Sequence, residues 1–317
     1  MPNIKLMCRT ATTFTKTGEL DEDALRQYLQ RFIDARLGVY LGSGGSGEGH
    51  TLTHDELRRV YRVGVAACKG KIAVYANPPE QYSARLTIEQ TRLAMECGVE
   101  VVNIYALAGL HNMRPTDLEL IAYYDSVLSA IDYPVALAAQ PLVGYMVKPK
   151  ILADMVNRYK QVVEVNLTGV TDNYFLQLRE LVDRDVDFYV PITASLHTLS
   201  LGAVGLLATE ANLIPKTYRL YMDLYDQRKY DEMGPVYADI KRYVDYMSNW
   251  NPGPTRWIKM GMRALKLPGG EGGMREPYHM PPEAEMQKFT DGMLRLGLAE
   301  INEQARAAGL TLPVRIE

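Results

Sequence analysis

The chain has 317 residues, 47% of them hydrophobic, and a net charge of −3. Such a chain can bury a large core, and single α/β barrels of roughly 250 residues are ordinary, so one domain with an extension fits the length. With no Lys/Arg cluster longer than a few residues, nucleic acid and anionic membrane are excluded as expected partners. No apolar stretch approaches the roughly 18 residues that span a bilayer. Residues 1–9 carry no apolar segment ahead of a small-residue cleavage site, so a cytoplasmic location is expected. Cys8, Cys68 and Cys97 sit in apolar segments and are read as reduced core thiols. Tyrosines number 21 against 5 phenylalanines. An apolar body with a polar tip suits oligomer interfaces and wet pockets.

Short apolar runs alternate with amphipathic segments almost from end to end. Strands are expected at Ile4–Cys8, Val39–Gly42, Ile72–Ala76, Val99–Tyr105, Val135–Ala139, Val162–Asn166, Asp187–Ile192 and Gly205–Ala208. Helices are expected from about Glu22, Thr53, Ser83, Thr116, Pro149, Asn173 and Leu196. Thr53–Glu56 and Thr116–Glu119 fit the capping box, in which Thr and Glu satisfy each other's first-turn amides. Eight βα units predict a closed parallel (β/α)8 TIM barrel over residues 1–211. Past Asn212 no strand signal remains. Pro215–Tyr230, Asp231–Met247, Thr255–Leu267 and Pro281–Ala308 read as helices, making 212–317 a C-terminal helical region packed on the barrel.

In such barrels the chemistry collects at the C-terminal strand ends, where the βα loops converge. Arg9, Thr10, Ser43 to Glu48, Tyr75, Asn77, Asn103, Tyr105, Ala138 to Gln140, Asn166, Thr168, Thr193, His197 and Thr209 form that ring. It is rich in amides and hydroxyls and has few charges.

Gly42-Ser43-Gly44-Gly45-Ser46-Gly47 matches G-x-G-x-x-G. A dinucleotide site needs this turn after the first strand and opening straight into a helix. Here it follows the second strand and the helix waits for Thr53. The loop reads either as backbone amides facing an anion or oxyanion, or as a tight structural turn. His50 and His54 have helical ligand spacing, but the cap at Thr53 leaves His50 outside the helix and no acidic cluster accompanies them, so no metal site is expected. Nor is any organic cofactor.

From Tyr40 to Glu56 the chain resembles the G-T-T-G-E…L-T-x-x-E signature of the dihydrodipicolinate synthase / N-acetylneuraminate lyase family. Thr13-Phe14 with Gly18–Asp21 is similar to the family's opening T-P-F…D-G-x-V-D. Gly202–Gly205 with Ala211–Pro215 is similar to G-A-x-G…N-x-x-P, and Met274–Pro277 to the closing R-x-P. The resemblance implies reversible aldol chemistry on pyruvate-like 2-keto acids through a lysine imine, with no metal or cofactor. It also implies a homodimer or homotetramer, with Leu107–Met113 after strand four at the dimer contact.

Carried over position by position, little of that imine apparatus survives. The imine lysine falls on Asn166, whose amide nitrogen is not nucleophilic. The proton-shuttling tyrosine of Y-N-x-P falls on Ala138, ahead of Gln140 and Pro141. The two threonines of G-T-T-G-E fall on Gly45 and Ser46, and the carboxylate-binding arginine near Val143. Ser46, Glu48 and Tyr105 keep the expected character, with Tyr105 on or one position off the family's T-P-Y-Y.

Asn166, Asn77, Asn103, Gln140, Ser46 and Tyr105 can supply hydrogen bonds to an enolate or alkoxide. Gly45, Glu48, Asn77, Ala138, Gln140 and Thr168 are expected to line the substrate. His197 is the general-base candidate near neutral pH, though a histidine at a helix start also serves as a structural hydrogen bonder. Glu48 has the corresponding bland role of tying down the glycine turn. The resulting expectation is a divergent lyase acting next to a carbonyl, on a C–C or C–O bond, without an imine. With the arginine and threonines gone, a less anionic carbonyl or keto-acid-like small molecule is expected. Two other readings stand beside it. One is a catalytically silent small-molecule binder, or the inactive partner of an active paralogue. The other is a conventional aldolase whose lysine has moved to Lys148, Lys150 or Lys259.

Overall fold

The computed structural model describes residues 5–109, 111, 113–250 and 253–313. Eight parallel strands close on themselves in chain order, with β8 pairing β1. They are β1 (Lys5–Arg9), β2 (Gly38–Leu41), β3 (Val74–Ala76), β4 (Val101–Tyr105), β5 (Val135–Ala139), β6 (Val162–Leu167), β7 (Asp187–Val190) and β8 (Gly205–Leu207). Between them run α1 (Glu22–Asp34), α2 (His54–Cys68), α3 (Ala84–Glu96), α4 (Asp117–Ser129), α5 (Pro149–Arg158), α6 (Asp172–Leu181) and the single turn α7 (Ser195–Thr198). The chain is a (β/α)8 barrel.

Both expected capping boxes form. Thr53 and Thr116 each accept the amide of the glutamate three residues on, and that glutamate accepts the cap's own amide. After β8 come α8 (Pro215–Asp226), α9 (Tyr230–Ser248), α10 (Pro254–Ala264), α11 (Glu283–Arg295) and α12 (Ala299–Ala307). The single helix expected over Pro281–Ala308 is therefore two. Gly297 adopts φ +70 and its amide bonds the Leu294 carbonyl, the left-handed helix ending that favours glycine. The expected helix to Tyr230 stops at Asp226 because Arg228 takes φ 59. Strand ends shift by one or two residues; β1 runs on to Arg9, and Ile4 lies outside the described residues.

Asn212 welds the first and last strands. Its Nδ2 donates to the carbonyls of Arg9 and Thr209, and its Oδ1 accepts from the amide of Ala11 and the hydroxyl of Tyr28. The tyrosine excess goes into the interior rather than only to edges. Tyr28, Tyr40, Tyr61, Tyr124, Tyr189, Tyr218, Tyr221 and Tyr243 are all completely buried. Cys8, Cys68 and Cys97 are unpaired and buried. No helix of the described residues is long and apolar enough to cross a membrane. In the loop after β4, Leu110 and Asn112 lie outside the described residues, while Met113 is 78% exposed.

Side chains alternate across each strand, and the register fixes which ones face the barrel axis. Asn103 pairs with Ala136, Ala136 with Glu164, and Glu164 with Asp187. One step up, Tyr105 pairs with Ala138, Ala138 with Asn166, and Asn166 with Tyr189. Met7, Tyr40, Tyr189 and Leu207 form a separate buried cluster inside the strands. Arg9, two residues beyond Met7, thus faces the axis at the C-terminal mouth.

Candidate active site

Inside the barrel, a chain of polar side chains is buried among the strands. Asn166 Nδ2 donates to Asn103 Oδ1 at 2.8 Å and to the Tyr40 hydroxyl at 2.9 Å. The Tyr40 hydroxyl in turn donates to Glu164 Oε2 at 2.8 Å. Both Asn166 Nδ2 hydrogens are therefore used, as is the Asn103 oxygen. What remains is Asn166 Oδ1, an acceptor, and Asn103 Nδ2, a donor, each buried and without a partner. Buried polar groups are rarely left so; two complementary ones on one wall fit a ligand that brings both an acceptor and a donor.

Burial drives the rest of this electrostatic picture. It holds the Glu164 carboxyl up at about 7, against the lowering hydrogen bonds of Tyr40 and Tyr75. It also pushes the Tyr40 phenol well above its ordinary value, a rise the Glu164 charge reinforces. Neither Tyr40 nor Glu164 was among the residues expected at the site. The signal was present in the sequence: Glu164 is the one carboxylate of a strand whose only other polar residue is Asn166, two residues on and hence on the same face.

Above this wall stands Tyr105, whose hydroxyl accepts from Asn77 Nδ2 at 2.9 Å. Burial raises the Tyr105 phenol and the neighbouring Arg9 guanidinium opposes that rise. Arg9 Nε is itself buried without a hydrogen-bond partner. Ala138 sits between Tyr105 and Asn166 in register, its methyl leaving room where a larger side chain would stand. At the rim, Gln140 Nε2 donates to Glu80 Oε1 at 2.6 Å, and the Thr168 amide bonds the Ala139 carbonyl at 2.9 Å. Ser46 Oγ meets Thr209 Oγ1 at 3.3 Å, joining the loops after β2 and β8. The exposed Gly45 gives its carbonyl to the Thr255 hydroxyl of α10. The glycine-rich loop is a packed turn: a Cβ on Gly49 would lie 2.1 Å from the Gly42 carbonyl oxygen.

Three of the expected residues go elsewhere. The His197 side chain is 73% exposed and pairs with Asp172 at 2.9 Å, outside the buried polar wall, because α7 is a single surface turn. Glu48 turns to the helical extension. Its Oε2 accepts the Arg275 amide at 3.0 Å and its Oε1 lies 3.2 Å from Lys259 Nζ. Tyr75 faces the axis from lower down, hydrogen-bonded to Glu164 and lining a cavity of about 420 Å³ at the N-terminal mouth.

The alternative lysines are accounted for as well. Lys148 and Lys150 are exposed and paired with Asp117 and Asp154. Lys259 is fully buried, and burial lowers its amine, a property imine lysines share. Yet its ammonium is fixed by the carbonyls of Thr12 and Gly273, the Glu48 charge and the Phe14 ring, behind the glycine loop.

A closed (β/α)8 barrel with a polar wall buried among its strands is an architecture that commonly carries small-molecule sites at its C-terminal mouth. Residues 4–293 match the profile of the Dihydrodipicolinate synthetase family, and the chain belongs to that family. It is similar to the 4-hydroxy-tetrahydrodipicolinate synthase of Xanthomonas axonopodis pv. citri, 28% identical over 290 residues, covering 89% of this chain and 90% of the relative. The enzyme of the same name from Methanococcus aeolicus is 22% identical, covering 89% and 96%. Among solved structures, YagE, a prophage protein of E. coli K12 in complex with pyruvate, superposes with a TM-score of 0.84 at 16% identity, over 93% of this chain and 99% of that one. That likeness concerns the fold.

Proposed function

We propose that the chain is a lyase that makes or breaks a bond next to a carbonyl in a small keto-acid-like molecule, without a lysine imine. The observation that carries this reading is the hydrogen-bonded pair Asn103 and Asn166, standing where the family resemblance places the imine lysine. An amide there cannot form the covalent adduct. It can bind both ends of a hydroxy-carbonyl unit. Asn103 Nδ2 donates to the carbonyl oxygen, and Asn166 Oδ1 accepts from the hydroxyl. As the bond beside the carbonyl breaks, its electron pair moves onto the carbonyl oxygen, where donors contribute most; each well-placed donor is worth about 3–4 kcal/mol.

Tyr105 carries the protons in this reading: its phenol protonates the enolate, and the phenolate so formed takes up the proton the hydroxyl releases, so that none is gained or lost overall. Its phenol is protonated at neutral pH, and Arg9 beside it stabilises the charge left when the proton departs. Arg9 also supplies the cation that the sequence lacks near Val143, so the substrate retains a carboxylate. This replaces the expectation of a less anionic substrate. We place the working form in a homo-oligomer, on the strength of the family resemblance.

Incubation with pyruvate and other 2-keto acids, followed by borohydride and intact-mass measurement, tests the mechanism. No covalent adduct is expected, and a stoichiometric one overturns it. A keto- and hydroxy-acid panel screened by thermal shift, with turnover assays on each hit, tests the activity. Turnover lost in Tyr105→Phe supports a lyase. Binding without any turnover overturns it in favour of a binding protein on the same scaffold.

A further inference from the structure

We propose that Glu164 is a positioning residue that, acting through Tyr40, sets which atom of the Asn166 amide faces the substrate. The inference rests on the reading above, in which Asn166 meets the substrate. It deepens that reading by stating the hydrogen-bond class of ligand the site takes and what changes it.

The direction of the chain is a matter of counting hydrogens. Tyr40 has one, and it is given to Glu164 Oε2. The Tyr40 oxygen is therefore an acceptor toward β6, and only the nitrogen of Asn166 can answer it. That nitrogen also serves Asn103 Oδ1. The outcome is one acceptor, Asn166 Oδ1, and one donor, Asn103 Nδ2, left for the ligand. An ionised Glu164 enforces this arrangement because a carboxylate accepts and never donates.

Protonation of Glu164 reverses it. The acid hydrogen is given to the Tyr40 oxygen, and the phenol turns its own hydrogen toward Asn166. The amide rotates half a turn, so that Oδ1 accepts from Tyr40 and Nδ2 turns to the ligand, and the Asn103 amide turns with it so that its Nδ2 donates to Asn166 Oδ1. The site then presents a donor at Asn166 and an acceptor at Asn103, the reverse of the ionised arrangement. One proton is taken up from solvent and none is lost. A route for it exists: Tyr75 bonds Glu164 on the other side and lines the cavity of about 420 Å³ at the N-terminal mouth.

The groups facing Glu164 come from five strands. Tyr40 of β2 and Tyr75 of β3 hydrogen-bond it, Asp187 and Tyr189 of β7 lie beside it, Lys5 of β1 approaches from below, and Asn166 follows on its own strand. Lys5 is paired with Asp187, which leaves the two tyrosines as the direct partners. Burial places the carboxyl near 7, inside the range where both protonation states are populated.

Two probes of equal charge isolate the effect. Pyruvate offers a carbonyl acceptor where lactate offers a hydroxyl that also donates. The ratio of lactate to pyruvate affinity in the whole protein, measured by calorimetry at pH 6 and pH 8.5, is expected to rise about tenfold with pH, since one exchanged hydrogen bond is worth roughly 1 kcal/mol or somewhat more. In Glu164→Gln and Tyr40→Phe the ratio is expected to stay flat. A flat ratio in the wild type, or a pH-dependent one that persists in Glu164→Gln, overturns the proposal. A second measurement needs no ligand. The Asn166 side-chain amide resonances of the free protein are expected to shift with a midpoint near pH 7, and not in Glu164→Gln. Shifts that are absent, or indifferent to the substitution, also overturn it. Failure of both acids to bind counts against the proposed function alone, because the resonance experiment still decides the role of Glu164.

Discussion

Asn103 on β4 and Asn166 on β6 meet across the barrel interior at 2.8 Å, and each keeps one polar atom without a partner. Three strands of a parallel barrel are needed to build that contact, since Ala136 and Ala138 of β5 stand between the two asparagines in register. The small side chains of β5 are what let the amides reach each other. A tyrosine at 138 would fill the same space.

Replacing either asparagine therefore tests the centre of the site. Asn103→Leu is expected to lower kcat by about 10²–10³, the usual effect of removing one oxyanion donor. Asn166→Leu is expected to lower it comparably, by removing the hydroxyl's acceptor together with the bond that orients the Asn103 amide. The double variant is expected to lose little more than the worse single one, because the two amides act as one unit. Steady-state kinetics on a confirmed substrate measures this. Full activity in either single variant would place the reacting carbonyl elsewhere.

Arg9 gives a separate handle on the carboxylate. Arg9→Met keeps much of the side-chain volume and removes the guanidinium. A hydrogen bond to a charged group contributes about 1.5–3 kcal/mol, so KM for a keto acid is expected to rise between ten- and a hundredfold, with a fall in kcat beside it as the Tyr105 phenolate loses its neighbouring cation. The methyl ester of the same acid should bind wild type and variant alike. An equal loss for acid and ester would assign Arg9 to the fold instead.

Much of this architecture is legible in the sequence because its signals are local. The capping boxes at Thr53 and Thr116, the buried runs of β5 and β6 and the helix start at Pro149 each depend on a few neighbouring residues. The end of α11 was missed although Gly297 marked it, since the apolar period runs on across the break. The site is less legible because its partners are distant in sequence. Nothing near Glu48 announces Lys259 or the Arg275 amide, and nothing near Glu164 announces Tyr40, 124 residues away. His197 drew notice for its chemistry alone, whereas exposure is what the structure adds.

Glu164 also carries a stability signature, whatever its role in binding. A carboxyl raised from 4.5 to about 7 by burial binds its proton more tightly in the folded chain than in the unfolded one. Folding stability is then full below pH 4.5, falls as pH rises through the window up to 7, and levels off above it. The fall amounts to about 3 kcal/mol. Glu164→Gln removes the group that titrates, so it is expected to raise the melting temperature at pH 8 by several degrees and to change it little near pH 5. Parallel melting curves at the two pH values measure the difference. A Gln variant no more stable at pH 8 than the wild type would mean that the carboxylate is solvated in the folded chain.

The Lys259–Glu48 pair yields the sharpest prediction about the frame behind the site. Both side chains are fully buried, and they stand 3.2 Å apart, with Lys259 directing its hydrogens to the carbonyls of Thr12 and Gly273. Glu48 is thereby held by charge on one oxygen and by the Arg275 amide on the other. Arg275 continues the tie to Glu56, whose carboxyl it pulls down to about 2. Two family-signature residues, Glu48 and Arg275, thus serve to lock the glycine-rich loop and α2 onto the C-terminal helices. Lys259→Met leaves a buried carboxylate without its counter-ion, which costs about 3–5 kcal/mol. Glu48→Gln with Lys259→Met removes both charges and is expected to recover more than half of that loss. Denaturant unfolding of the two variants gives the comparison directly. If the double variant is no better than Lys259→Met alone, the amine acts through its carbonyl bonds to Thr12 and Gly273 and not through the glutamate.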